Sequence, residues 1–178
     1  MSIQARIHSS LLVALVFGMS GRIDAQQYSV YCLPQSQLVL AGVALGADSQ
    51  RVRAKLGRPL RHVRDSSMDD GGVYPVVHLV YSHLQVDIGR DRVEMLSTSS
   101  GVVPLPSGVR VGMDIEEVGR RLRLPNADQY LKGDTLAPIA CEAGPHSPDL
   151  AGLSLIFAPG RPGASRRLAK VLLTEYGP

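Results

Sequence analysis

Gly46-Ala47-Asp48-Ser49-Gln50-Arg51-Val52-Arg53-Ala54-Lys55-Leu56-Gly57-Arg58-Pro59 is the stretch on which a reading of the fold turns, because much of it returns 66 positions later. Gly112, Asp114, Val118, Leu122 and Pro125 stand in register with Gly46, Asp48, Val52, Leu56 and Pro59. Self-similarity at a fixed offset marks a repeated structural unit. Asp48 and Asp114 sit where a side-chain oxygen accepts from the free backbone N–H groups that open a helix. Glu117, three residues after Asp114, is placed to complete a capping box, whereas Arg51 holds that place in the first copy. Val52 with Leu56, and Val118 with Leu122, lie four apart and form one apolar stripe, leaving Arg51, Lys55, Arg58, Arg120 and Arg121 in water. Gly57 and Pro59 stop the first helix. Helices of about eight to ten residues do not persist alone, so each must pack on something else.

Outward from each helix the pattern changes to strands. Val76 to Tyr81, Leu84 to Ile88 and Arg92 to Thr98 follow the first copy, and Leu153 to Phe157 and Leu168 to Thr174 follow the second. Tyr28 to Leu33 and Leu38 to Val43 read as strands ahead of the first helix, and Val102 to Gly108, with two prolines, reads as the joint between copies. Alternation directs Val77, Leu79, Tyr81, Leu84, Val86, Ile88, Val93 and Met95 toward the helix, together with Leu153, Leu155, Phe157, Val171 and Leu173. The other face carries His78, Gln85, Asp87, Glu94, Ser154, Lys170 and Thr174, interrupted by Val76, Val80, Ile156 and Leu172. The expected fold class is α+β: two tandem repeats, each a short helical segment packed on an antiparallel sheet, spanning 26–105 and 106–178.

The chain has 178 residues, 44% hydrophobic and 20% charged, enough apolar material for a buried core, and no block of like charge is long enough to read as a disordered tail. Aromatics are 4% with no Trp, which leaves little to stack nucleic-acid bases, so no nucleic-acid role is expected. Arg6 and His8 precede an apolar run, Leu11 to Met19, broken by Ser20-Gly21 and followed by Ala25; this is the layout of a secretory signal peptide over 1–25. The run is well short of the roughly 20 residues a membrane helix needs, so no membrane span is expected. No Cys directly follows it, which argues against a lipid anchor. Removing Arg6, Arg22 and Asp24 leaves 17 basic against 15 acidic residues in 26–178, a balance that names no strongly charged partner. The two cysteines, Cys32 and Cys141, would meet an oxidising compartment and are expected to close one disulfide across 109 positions. Neither has a Cys or His at ligand spacing, so no metal and no cofactor is expected.

The run G-x-D-x-x-x-V-x-x-x-L-G-x-P from Gly46 to Pro59 resembles the small outer-membrane assembly lipoprotein family and the related β-lactamase-inhibitor-like fold; the second copy departs from it at Arg123, where the motif has Gly. The resemblance implies an exported bacterial α+β module, and tandem copies are similar to the inhibitor arrangement, in which two helix-plus-sheet units form a surface that grips a protein.

Chemistry is sparse by comparison. His78, Asp87 and Glu94 share a sheet face and are the one set that acid–base or metal chemistry would use, but no motif forces them together. There is no G-x-S-x-G and no Walker loop. Asp69-Asp70-Gly71-Gly72 with Tyr74, a charged and flexible loop between the first helix and the first strand, suits contact with a partner. The candidate partner-binding residues are therefore His78, Gln85, Asp87, Glu94, Asp69, Asp70 and Tyr74. The expected function is a non-catalytic, periplasmic or secreted module that binds or inhibits a protein of the cell envelope. The alternative is a structural factor in envelope assembly that meets anionic lipid or polymer through Arg51, Lys55, Arg58, Arg61 and Arg64.

Overall fold

Asp48 and Asp114 open their helices in the same way. Each is extended, at φ −74°, ψ 162° and φ −75°, ψ 163°, and each carboxylate accepts from the N–H three residues on, Arg51 at 2.7 Å and Glu117 at 2.8 Å. Just upstream, each turn is stitched to a strand. Gly46 N–H donates to the Val93 carbonyl and Val93 N–H to the Ala47 carbonyl, both at 2.8 Å. Gly112 N–H donates to the Leu168 carbonyl at 2.8 Å and Leu168 N–H to the Met113 carbonyl at 2.7 Å. The expected capping box does not form: the Glu117 carboxylate turns instead to Arg120 and Arg121, because cations a turn away attract it more strongly than the neutral Asp114 N–H.

The computed structural model describes residues 32–69, 71–124, 126–136, 139–140, 150–159 and 164–176. In chain order its elements are β1 (Cys32–Leu33), a tight helical turn (Gln35–Gln37), β2 (Val39–Leu40), β3 (Val43–Ala44), α1 (Ser49–Leu56), β4 (Arg61–Asp69), β5 (Gly72–Val80), β6 (Gln85–Gly89) and β7 (Arg92–Thr98). They continue with α2 (Ile115–Leu122), a second tight turn (Ala127–Tyr130), β8 (Leu131–Lys132), β9 (Thr135–Leu136), β10 (Ile139–Ala140), β11 (Leu150–Phe157) and β12 (Leu168–Tyr176). The expected signal segment, 1–25, lies outside the described residues, as does Cys141. Cys32 begins a strand that runs parallel to β10, opposite Ile139.

The two tandem helix-on-sheet repeats are not what forms. The main path runs β1-β10-β11-β12-β7-β6-β5-β4 through one sheet, with β8 and β9 attached beside β11, while β2 and β3 make a separate hairpin. The described residues are mostly antiparallel β with only two short α-helices among them, and the sheets expected to belong to separate units are joined where β12 pairs with β7, from Val171 opposite Thr98 to Thr174 opposite Met95. Local alternation marks a strand and its faces but not its neighbour, so the pattern could not distinguish two sheets from one. A single apolar cluster follows from the join, running from Leu40 and Val52 through Leu96 and Val118 to Phe157 and Leu173.

Three local expectations also change. Leu38 to Val43 is not one strand: Ala41 at φ 51° and Gly42 at φ 76° turn the chain back between β2 and β3. The Asp69 loop is not a helix-to-strand link but the tip of a long β4–β5 hairpin, whose first strand is charged and almost wholly exposed. Third, a bulge interrupts β6–β7: Asp87 faces Met95 and Ile88 faces Val93, so Glu94 is the extra residue. That extra residue flips Met95 to the polar face and puts Leu96 in the core beside Val93, both fully buried.

Two glycine positions make the local packing testable. A Cβ at Gly119, in the middle of α2, would stand 2.9 Å from both the Ala127 methyl and the Leu124 carbonyl oxygen. Gly119→Ala is therefore expected to lose about 1–3 kcal/mol by overpacking, although helix propensity alone would gain about 1 kcal/mol. Urea denaturation reads the sign, and a gain would mean that the Ala127 turn moves freely off the helix. At the helix ends, Gly57 holds φ 74°, ψ −149° and Arg123 holds φ 58°, ψ 35°. Gly57→Ala should cost about 1–3 kcal/mol, while Arg123→Gly relieves about 1 kcal/mol of left-handed strain, partly offset by the freer unfolded chain. Shifts of the same sign for the two variants would contradict this account of the two caps.

Candidate functional site

The polar sheet face is assembled by cross-strand register. Tyr74, Val76, His78 and Val80 of β5 lie on it, opposite Ser67, Asp65, Val63 and Arg61 of β4 on one side and Gly89, Asp87 and Gln85 of β6 on the other. Met95 and Ser97 of β7 continue it to Thr174 and Leu172 of β12, and from there to Gly152 and Ser154 of β11. Most of these side chains are neither buried nor free but half-exposed.

Two charged groups stand on this face, separated along β5 by Val76. In the first, His78 Nδ1 lies 2.9 Å from Asp87 Oδ1 and His78 Nε2 lies 3.8 Å from Asp65 Oδ2. Gln85 Nε2 donates to Asp87 Oδ1 at 3.0 Å. Asp87 is only 6% exposed, so this carboxylate has been largely withdrawn from water and depends on these partners. In the second group the Tyr74 hydroxyl donates to Glu94 Oε2 at 3.1 Å, Arg90 sits 4.0 Å over the Tyr74 ring, and its guanidinium meets Asp69 and Glu94. The Asp69 carboxylate also accepts from Gly71 N–H at 2.8 Å, tying the hairpin tip to itself.

The bulge and a tight turn create the second group. As the extra residue of β7, Glu94 is free to lie back across Gly89, where any Cβ would meet its carboxylate. Arg90 and Asp91, at φ 49° and 63°, form the two-residue connection between β6 and β7, a geometry usually met by Asn-Gly. An arginine held left-handed costs about 1 kcal/mol; here its side chain recovers two carboxylates and an aromatic ring.

Of the seven candidate residues, Asp69, Tyr74, His78, Gln85, Asp87 and Glu94 fall in these two groups, and Asp70 lies outside the described residues. His78, Asp87 and Glu94 do not converge as one set: Glu94 belongs to Tyr74 and Arg90. Asp65 and Arg90 were missed. Asp65 lies on a strand with no apolar alternation to announce it, and Arg90 gives no composition signal, though the three-residue gap with a glycine, Gly89 to Asp91, between strand runs marks a turn there. His78 Nδ1 faces the buried Asp87 carboxylate, while Nε2 stands beyond hydrogen-bond distance of the exposed Asp65. Among the described residues there is no group of three or more His, Cys, Asp or Glu side chains able to hold a metal ion. No described helix is long and apolar enough to cross a membrane.

Elsewhere, Val39, Ala41 and Gly42 of the β2–β3 hairpin and residues 102–106 line a shallow, mainly apolar cleft of about 290 Å³. At the end of β5, burial pushes the Tyr81 phenol above its ordinary pKa, and the Arg53 charge partly opposes this.

No family model matches the chain, and no curated protein does. Among solved structures it is similar to an extracellular protein containing a SCP domain from Bacillus anthracis str. Ames, with 14% identity and a TM-score of 0.40 over 73% of this chain and 43% of that one. It is also similar to the uncharacterized protein yfeY from Escherichia coli, with 12% identity and a TM-score of 0.41 over 79% of this chain and 95% of that one. The chain thus spans less than half the length of the first of these proteins.

Proposed function

We propose that the protein is an exported, non-catalytic module that binds a protein partner across the polar face of β5, β6, β7 and β12. The observation that carries this reading is the composition of that face. The His78–Asp87–Gln85 and Tyr74–Glu94–Arg90 groups stand beside half-exposed Val80, Met95, Leu172 and Ile156, so directional polar contacts and apolar area share one surface. Protein interfaces are built from that mixture. The charged side chains are already held by one another, so little side-chain freedom is lost when a partner arrives. Export rests on the signal-like segment 1–25 and on the cysteine pair. The parallel pairing that sets Cys32 opposite Ile139 supports a Cys32–Cys141 bond, because Ile139 is only two residues before Cys141 in the sequence. Closing so long a loop would add roughly 4–5 kcal/mol in the chain-entropy account.

Two measurements test the reading. A photo-crosslinking amino acid placed at Met95, and separately at Leu172, should give one discrete heavier adduct in an envelope extract, while the same probe at the exposed Glu116 of α2 should not. No adduct from either face position, or the same adduct from Glu116, would sink the sheet-face interface. Protein recovered from an exporting host should have an intact mass two hydrogens below that of the reduced chain, and a mass equal to the reduced chain would remove the disulfide.

A further inference from the structure

Residues 49–64, which form α1, the turn after it and the first half of β4, carry Arg51, Arg53, Lys55, Arg58, Arg61 and Arg64 with His62 and no Asp or Glu. All seven are exposed, and none forms an ion pair among the described residues. The remaining 13 basic residues (19 less 6) are set against all 16 acidic ones, so the positive charge of the whole protein resides in this one stretch. Helix stability accounts for only part of it: Arg53 and Lys55 stand in the last turn of α1, where the dipole favours cations, but the others do not. Arg51 stands in the first turn of α1, where the helix dipole disfavours a cation, and that turn has no acidic residue to compensate. α2 shows the other solution on the same capping frame. Glu116 and Glu117 occupy its first turn, and Glu117 pairs with both Arg120 and Arg121.

In the middle of the stretch, between Arg58 and Arg61, Leu60 projects from the helix-to-strand turn at 74% exposure, with Val63 following at 39%. Leu60 is anchored only through its backbone, its N–H donating to the Val80 carbonyl at 2.8 Å. We infer that this corner docks on an anionic lipid bilayer, the cations meeting headgroup phosphates and Leu60 entering the boundary with the acyl chains. A soluble polyanion would be satisfied by the cations alone; an apolar side chain held out between two arginines suits a surface with an apolar layer beneath its charge. The inference does not depend on the sheet-face reading, since none of its residues belongs to the two groups described above.

Vesicle co-sedimentation of the purified protein tests it. Phosphatidylglycerol vesicles should carry the protein down and phosphatidylcholine vesicles should not, with binding lost at high salt. Arg58→Glu/Arg61→Glu should lower the partition coefficient at least about tenfold, Leu60→Ser should lower it several-fold, and Arg120→Glu on α2 should leave it unchanged. All of these changes are on exposed side chains, and unchanged circular dichroism and melting confirm that each variant is folded. Absence of binding to anionic vesicles, equal binding to neutral ones, or insensitivity to the double variant would overturn the proposal. So would indifference to Leu60→Ser combined with equally tight binding to soluble polyphosphate, which would assign the cations to a polymer.

Discussion

The pairing of β7 with β12 is the contact on which the rest of the molecule depends. Strands β4 to β7 are successive antiparallel neighbours, and β11 and β12 form a second antiparallel ladder. Left apart, each set would present an open edge and half a core. Joined from Val171–Thr98 to Thr174–Met95, they share one apolar layer in which Leu96, Val171, Leu173 and Phe157 are almost completely buried. The helices are subordinate to the same contact. The turn before α1 is bonded to Val93 at the start of β7, and the turn before α2 to Leu168 at the start of β12, so pairing those two strands also sets where both helices sit.

The bulge at Glu94 determines what the polar face contains. Without the extra residue, regular alternation would have kept Met95 in the core and carried Leu96 to the outside. With it, the core receives two successive anchors, Val93 and Leu96, and the polar face receives a half-exposed methionine beside Asp87. The same insertion frees Glu94 to cross Gly89 and reach Tyr74 and Arg90. One backbone irregularity thus supplies both the apolar and the charged parts of the surface. Bulges are commonly found where a side chain must be re-aimed.

What the sequence disclosed and what it hid divide along the range of the interactions. Asp48 and Asp114 act within three residues of themselves, and both caps were legible. The strands β5, β6, β7, β11 and β12 announced themselves through alternation, because one face of each meets the core. β4 did not: its nine residues lie at the sheet edge, exposed on both sides, so nothing selects an apolar period and Arg61 to Asp69 reads as charged loop. The join of β7 to β12 was equally hidden, because strand partners about 75 positions apart leave no local mark. Face membership needs only parity along a strand, and parity held for His78, Gln85 and Asp87 whatever the sheet's neighbours were.

The capping segment occurs twice in this chain, which separates what the fold demands from what it leaves free. The positions held in common, Gly46 and Gly112, Asp48 and Asp114, Val52 and Val118, Leu56 and Leu122, are those that turn the chain, cap the helix and fill the core. Gly46 and Gly112 share φ values of 74° and 93°, Val52 and Val118 are both fully buried, and both aspartates accept the same backbone bond. Most of the positions that differ face water, although Ile115, Gly119 and Leu124 are buried in the second copy where Ser49, Arg53 and Arg58 are not in the first. In α2 they balance, glutamates near the positive end of the helix and arginines near the negative end, an arrangement that serves the helix itself. In α1 every charged side chain is a cation: Arg53 and Lys55 suit the negative end of the helix, but Arg51 works against the dipole. A shared capping frame with a different charge pattern means that Arg51, and Arg58, Arg61 and Arg64 beyond the helix, are not a by-product of making the helix.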